Sequence, residues 1–342
     1  MGTILAAATG IVGASVVMLT FMALPTMLKR GYSPELASGT IASAGTLGIL
    51  IPPSVMLVFM GDILSINLAR LFVAALMPGL LLAAIYMIYI VVSTLLNPKK
   101  APPSPPLSEA EKAGLWKEAA LSFALPCVLI LAVLGSILGG IATPTEAAGI
   151  GAFGAILLGV LRGRLNLTTL AEATDGSIRT LAMLFFIFMA ATAFAYVFRL
   201  IGGEHFIVSL AESLNMGDWG ILAMLMLMIF ILGFFFDWVE ITLIMLPIVS
   251  PIVGLMDLGE HVAKTDLIYW FAVLMAVNLQ TSFLTPPFGF ALFFLKGAAG
   301  DLVTIGQIYR GIIPFVLLQI GVLALITWQP WIVMWLPNTL LQ

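Results

Sequence analysis

Pro52-Pro53 sits in the middle of an apolar run from Gly45 to Gly61, GTLGILIPPSVMLVFMG, long enough to cross a bilayer. Neither proline has a backbone N–H to give, and each disfavours helix in the residue before it. The helix is therefore expected to stop near Ile49 and restart near Ser54. In hydrocarbon such a break survives only where protein or a polar cavity satisfies the freed carbonyls. The same device returns at Thr281 to Gly297, TSFLTPPFGFALFFLKG, broken at Pro286-Pro287. Two interrupted membrane helices in corresponding places of two halves point to a transporter's binding site.

The surrounding chain makes the membrane reading unavoidable. Of 342 residues, 61% are hydrophobic and 9% charged, and mean hydropathy is +1.15. A soluble domain cannot hide that much apolar surface, and the runs are continuous rather than alternating, so an all-α integral membrane protein is expected. A net charge of −3 is too small to indicate nucleic acid or an anionic lipid surface as partner. The single cysteine, Cys127, lies in an apolar run without companions for a disulfide, thiol or metal site. Residues 1–28 lack a basic segment ahead of the apolar run, so they do not read as a cleavable signal.

In chain order, residues 3–28 are apolar but carry the small patch Thr9 to Ser15. They read either as one helix or as a re-entrant hairpin with its tip near Gly13–Ser15, the sharper of two evenly matched readings. The first broken helix spans 36–61, and a block at 66–96 carries Pro78. The proline- and charge-rich 97–114 is the one linker-like segment. Spans follow at about 116–137, 144–161 and 178–201. Thr143, Pro144 and Glu146 form a capping box, which makes Glu146 structural first. His205, alone at a membrane edge, reads as solvated. Residues 219–255 repeat the theme of 3–28, interrupted by Gly233, Asp237-Trp238 and Glu240. Asp257, Glu260, His261 and Asp266 read as a solvated loop. The second broken helix covers 267–297, and a last span of about 304–336 ends in a tryptophan belt.

Basic residues Lys29-Arg30, Lys99-Lys100, Lys112, Lys117, Arg162, Arg164, Lys296 and Arg310 fall on one side if 3–28 and 219–255 each return to the face they entered and each broken segment crosses once. The two hairpins then enter from opposite faces. The expected fold is an inverted repeat with two re-entrant helical hairpins and two broken transmembrane helices. Its expected divisions are 1–65, first half of the transport domain; 66–204, scaffold; 205–303, second half; and 304–342, a C-terminal helix.

Hydroxyls and amides gather where such a fold places its centre: Ser15 and Thr20; Ser43, Thr46 and Ser54; Thr242; Asn278, Gln280, Thr281, Ser282 and Thr285. Unwound carbonyls and helix C-termini suit Na⁺, and helix N-termini suit a carboxylate. Asp237, ionisable within an apolar block, reads either as a sodium ligand or as a helix cap. No HExxH, GxSxG or Walker motif appears, so no enzyme activity is expected.

The stretches LPTMLKRGYSPELASGTIASAGTLGILIPPS (24–54), GGIATPTEAAGIGA (139–152), FFFDWVEITLIMLPIVSPI (234–252) and VNLQTSFLTPPFGFALFFLKG (277–297) resemble the large membrane subunit of tripartite ATP-independent periplasmic (TRAP) transporters, the DctM-like family. The resemblance covers essentially the whole chain. It implies further membrane helices ahead of residue 1, and hence a fragment or a misassigned start. It implies an elevator-type secondary transporter in the bacterial inner membrane, with Na⁺ as coupling ion and no other cofactor. A periplasmic binding protein would deliver a small organic anion of the carboxylate class, and a small membrane subunit would brace the scaffold. Carried over by motif, Gly10, Gly13, Ser15, Thr46, Gly48, Pro52 and Pro53 form one half-site. Asp237, Asn278, Thr281, Thr285, Pro286 and Pro287 form the other, with Asp237 as sodium ligand. The competing readings are a divalent-anion or citrate-type transporter that needs no binding protein, and a non-transporting scaffold.

Overall fold

The computed structural model describes residues 2–103, 109–213, 216–286 and 289–341, and all of its regular structure is helical. In order the helices are α1 (Gly2–Thr9), α2 (Val12–Lys29), α3 (Pro34–Thr46), α4 (Val55–Ile63), α5 (Leu68–Leu96), α6 (Glu109–Leu138), α7 (Pro144–Leu161), α8 (Leu167–Leu200), α9 (Gly203–Ser213), α10 (Gly217–Leu232), α11 (Trp238–Leu255), α12 (Lys264–Leu284), α13 (Phe290–Ala299), α14 (Ile305–Trp328) and α15 (Trp331–Leu340). Among the described residues, seven of these are long and apolar enough to cross a membrane: α2, α5, α7, α8, α11, α12 and α14. With that content of apolar helix the chain is a multi-pass membrane protein.

Two compact units divide the chain: residues 1–106 with 203–342, and residues 107–202. The smaller unit holds α6, α7 and α8. Thr143 caps α7 with Pro144 at its first position, and the Glu146 carboxylate accepts the Thr143 N–H at 2.7 Å, so the expected capping box is present. The span expected to begin at about 178 is longer at its start: α8 begins at Leu167, capped by Asn166. Its four i−4 hydroxyl-to-carbonyl bonds, from Thr174, Ser177, Thr180 and Thr192, leave the polar side chains compatible with continuous helix.

The larger unit is built around α12. Every residue from Tyr269 to Leu284 is buried, which is how a helix surrounded on all sides reads. Around it the elements follow a repeated plan, in which α1 to α5 correspond to α10 to α14. The pairs match across that correspondence: α2 packs on α13 as α11 packs on α4, and α3 packs on α14 as α12 packs on α5. In lipid there is no hydrophobic gain from helix association, so close approach of small residues carries much of it. At the α3–α14 crossing a Cβ added to Gly39 would stand 2.3 Å from the Gly311 carbonyl oxygen, and one on Gly311 would stand 2.1 Å from that of Glu35. Backbone lies on backbone there.

One end of this unit is fastened by a polar network. Arg70 Nη2, at the start of α5, donates to Asp266 Oδ1 at 2.7 Å and to Asn338 Oδ1 at 2.6 Å. Asn338 Nδ2 returns a bond to Asp266 Oδ2 at 2.9 Å, and the guanidinium lies over Tyr269, 4.9 Å from its ring centroid. Asp266 therefore corrects the solvated-loop reading: it is buried and paired, whereas Asp257 and Glu260 are exposed. His261 is half-buried, with Nε2 at 2.8 Å from the Thr327 carbonyl oxygen. The final span is corrected too. It ends at Trp328, and α15 begins after Gln329-Pro330, because the proline restarts the helix rather than continuing it.

Two stability predictions follow from these contacts. G311A is expected to lose about 1–3 kcal/mol to overpacking. G321A, on the same helix with nothing within 4 Å of an added Cβ, should be neutral or slightly stabilising; denaturation midpoints in micelles compare them. R70L strands the Asp266 carboxylate and should cost about 3 kcal/mol, whereas R70L/D266L should cost less than the sum of the two single changes.

Candidate functional site

The first interruption is made locally. α3 ends at Thr46, a single 3₁₀ turn runs over Leu47–Ile49, and α4 starts at Val55 with Ser54 as its cap. The restart falls within a residue of the expected Ser54, whereas α3 stops three residues before the expected Ile49 and only the 3₁₀ turn reaches it. Ser54 Oγ donates to the Ile49 carbonyl and accepts from the Leu57 N–H, so one side chain serves both edges of the break. In the second interruption α12 ends at Leu284 and α13 starts at Phe290 after Gly289, whose φ of +44° suits glycine. Thr285 and Pro286 lie in this break; Pro287 falls outside the described residues.

Residues 3–28 are folded back rather than crossing as one helix. A Cβ on Gly2 would stand 3.3 Å from Leu19, so the start of α1 lies beside α2. The reversal is at Gly10-Ile11, which corrects the tip expected at Gly13–Ser15. Gly10 has φ +65° and its N–H bonds the Ala6 carbonyl at 2.9 Å, the left-handed stop that glycine gives a helix. Gly13 and Ser15 belong to the first turns of α2. Ser15 is buried and ties the tip: Oγ donates to the Ile11 carbonyl at 2.7 Å and is hydrogen-bonded with Thr9 Oγ1. Gly13 is small for a different reason, since its Cβ would meet the Phe294 ring of α13 at 3.0 Å.

α10 and α11 fold back in the same way. The Asp218 carboxylate, at the start of α10, accepts the Asp257 N–H just beyond the end of α11 at 2.9 Å. The reversal covers residues 233–237. A Cβ on Gly233 would stand 1.9 Å from Ser282 Oγ, so this tip lies directly on α12. Asp237 is the cap of α11, its Oδ1 accepting the Trp238 N–H at 2.8 Å. No hydrogen bond joins it to Asn278, Thr281 or Thr285 among the described residues.

These pieces meet. A Cβ on Gly48 would stand 2.3 Å from the Ala6 carbonyl oxygen, and one on Gly10 3.8 Å from that of Pro53, which sets the first tip on the first break. Asn278 Nδ2 donates to the Met226 carbonyl of α10 at 2.6 Å. Gln280 Nε2 reaches Thr46 Oγ1 at 3.4 Å, a direct link between the two interrupted helices. Gly10, Gly48, Pro52 and Pro53 therefore share one locality, and Thr46 joins it to α12, which carries Asn278, Thr281 and, at its end, Thr285.

The chemistry of the cluster is that of acceptors. Thr20, Thr46, Thr281, Ser282 and Thr285 each donate their hydroxyl hydrogen to a carbonyl three or four residues back in the chain. What such a hydroxyl presents to a neighbour is lone pairs. Among the described residues no group of three His, Cys, Asp or Glu side chains could hold a metal. A cation here would be met by neutral oxygens and by the Asp237 and Glu240 carboxylates of α11. Donors for an anion come from the backbone: no side chain caps α2 or α13 among the described residues, whereas Ser54 and Asp237 cap α4 and α11. In sodium-free buffer D237A should lose about 1 kcal/mol with the cap, while D237N stays within a few tenths because asparagine caps equally well; denaturation midpoints check this.

The profile of the family described as "Tripartite ATP-independent periplasmic transporter, DctM component" matches residues 2–332. The C4-dicarboxylate TRAP transporter large permease protein DctM of Pseudomonas aeruginosa is 31% identical over 336 residues, 98% of this chain and 75% of that protein. The ectoine/5-hydroxyectoine TRAP transporter large permease protein UehC of Ruegeria pomeroyi is 28% identical over 335 residues, 98% of this chain and 74% of that protein. The sialic acid TRAP transporter permease protein SiaT of Haemophilus influenzae is 26% identical over 324 residues, 93% of this chain and 49% of that protein. These relatives are transporter permeases rather than enzymes. With two folded-back helix pairs and two interrupted helices joined through Thr46 and Gln280, and a family profile matched almost from end to end, the chain belongs to the DctM family of TRAP transporter permeases.

Proposed function

We propose that this chain is the permease of a sodium-coupled secondary transporter in the bacterial inner membrane, importing a small organic anion of the carboxylate class. The carrying observation is the gathering of two helix reversals and two helix breaks into one unit, linked at Gln280 and Thr46. The acceptor-rich hydroxyls and Asp237 suit Na⁺, and the uncapped N-termini of α2 and α13 suit a carboxylate. C4-dicarboxylate and sialic acid, named for two relatives, are acids of that class. The α1–α2 and α10–α11 pairs then act as re-entrant hairpins from opposite faces. Transport is an elevator movement that carries the site past a scaffold. A periplasmic binding protein delivers the substrate and a small membrane subunit braces the scaffold, as a tripartite system requires.

Thermal midpoints of the purified chain in sodium and in choline test the coupling ion. A ligand bound only by the native state stabilises by RT ln(1 + [L]/Kd), about 2.7 kcal/mol at a hundredfold excess over Kd. A sodium-specific rise, diminished in D237N, is expected; an identical midpoint in both salts with a folded protein would remove sodium from the mechanism. Uptake into proteoliposomes only when a binding protein is added separates this reading from a divalent-anion or citrate-type carrier.

A further inference from the structure

Gln280 is fully buried, and its two amide atoms have different fates. Nε2 faces Thr46 Oγ1 at 3.4 Å, while Oε1 is buried with no hydrogen-bond partner among the described residues. The surrounding network sets the orientation of the amide. Thr46 gives its hydroxyl hydrogen to the Ser43 carbonyl at 3.0 Å, so toward Gln280 it can only accept. An N–H must therefore face it, and Oε1 must point elsewhere.

A buried carbonyl oxygen without a donor is disfavoured, and here it sits on the central helix where α12 packs against α3, the 3₁₀ turn and α4. The one oxygen shown beside the amide, Thr46 Oγ1, has its hydrogen already engaged. An anion has nothing to gain from such an atom. A desolvated monovalent cation has, since an amide oxygen is a hard, neutral ligand of the kind that replaces hydration. We infer that Gln280 Oε1 is a direct ligand of a monovalent cation held between the two interrupted helices, with the Nε2 bond to Thr46 fixing the amide so that its oxygen, not its nitrogen, faces the ion. This inference rests on the proposed sodium coupling and adds a ligand that belongs to neither hairpin tip.

The test uses sodium itself, titrated against the thermal midpoint of the full purified chain at constant ionic strength with choline. Wild type, Q280M and Q280E are compared. Methionine keeps the length and offers no oxygen, so Q280M is expected to weaken the apparent sodium affinity at least tenfold. Glutamate keeps the oxygen and loses the N–H, so Q280E should hold sodium within threefold of wild type or more tightly. If Q280M responds to sodium as wild type does, Oε1 is not a ligand. If both variants lose affinity alike, Gln280 acts through its bond to Thr46 and the inference is overturned. Should Q280M fail to fold, Q280E decides alone: retained affinity supports the ligand, and a tenfold loss overturns it. A wild-type chain with no sodium response defeats the coupling proposal itself, a result distinct from a response indifferent to Gln280.

Discussion

Every interruption of a helix in hydrocarbon leaves carbonyls and N–H groups that water cannot reach, and the larger unit is arranged around meeting that demand. It holds two reversals and two breaks, and the first break and both reversals are closed by atoms close at hand. Ser54 bridges the first break, Ser15 and Thr9 close the first reversal, Asp237 caps the helix after the second, and Gly10 turns its N–H back onto Ala6. The breaks are then pressed against the reversals by glycines that leave no room for a side chain. Gly48 lies on Ala6 and Gly233 on Ser282. Irregular backbone at Gly48 and Gly233 is thus covered by the neighbouring helices α1 and α12.

That arrangement has a chemical by-product. Serine and threonine in a membrane helix satisfy themselves most simply by donating to the carbonyl one turn earlier, and in doing so they become acceptors toward everything else. Repeated at Thr20, Thr46, Thr281, Ser282 and Thr285, the habit gives a polar centre rich in lone pairs and poor in side-chain donors.

Local chemistry made much of this legible from residue order. Pro52-Pro53 located the first break because a missing N–H acts within a turn, and Thr143 announced its helix because a cap is a four-residue interaction. The first reversal was misplaced by three residues because Gly10 and Gly13 look alike in sequence. One is glycine for its positive φ and the other for the Phe294 ring, and only packing separates the two reasons. Arg70 and Asp266 are 196 residues apart, and Asp266 looked like one more acidic residue in a polar loop. The Gln280–Thr46 link, spanning 234 residues, had no local signal beyond the presence of an amide in an apolar run.

The two halves share a plan but not an electrostatic character. Their correspondence extends to the aromatic contacts beside the reversals, where Gly13 of α2 meets Phe294 of α13 and Trp238 of α11 meets Phe59 of α4, ring centroids 5.9 Å apart. Yet the α4 and α11 N-termini are occupied by Ser54 and Asp237, while no described side chain occupies those of α2 and α13. A capped N-terminus has engaged one of its free N–H groups; an uncapped one keeps them all, with the positive end of its dipole. A symmetric scaffold would offer two equal sites to one kind of ligand. Capping only the α4 and α11 pair makes the two pairs of N-termini unequal in free N–H groups although their backbones follow one plan.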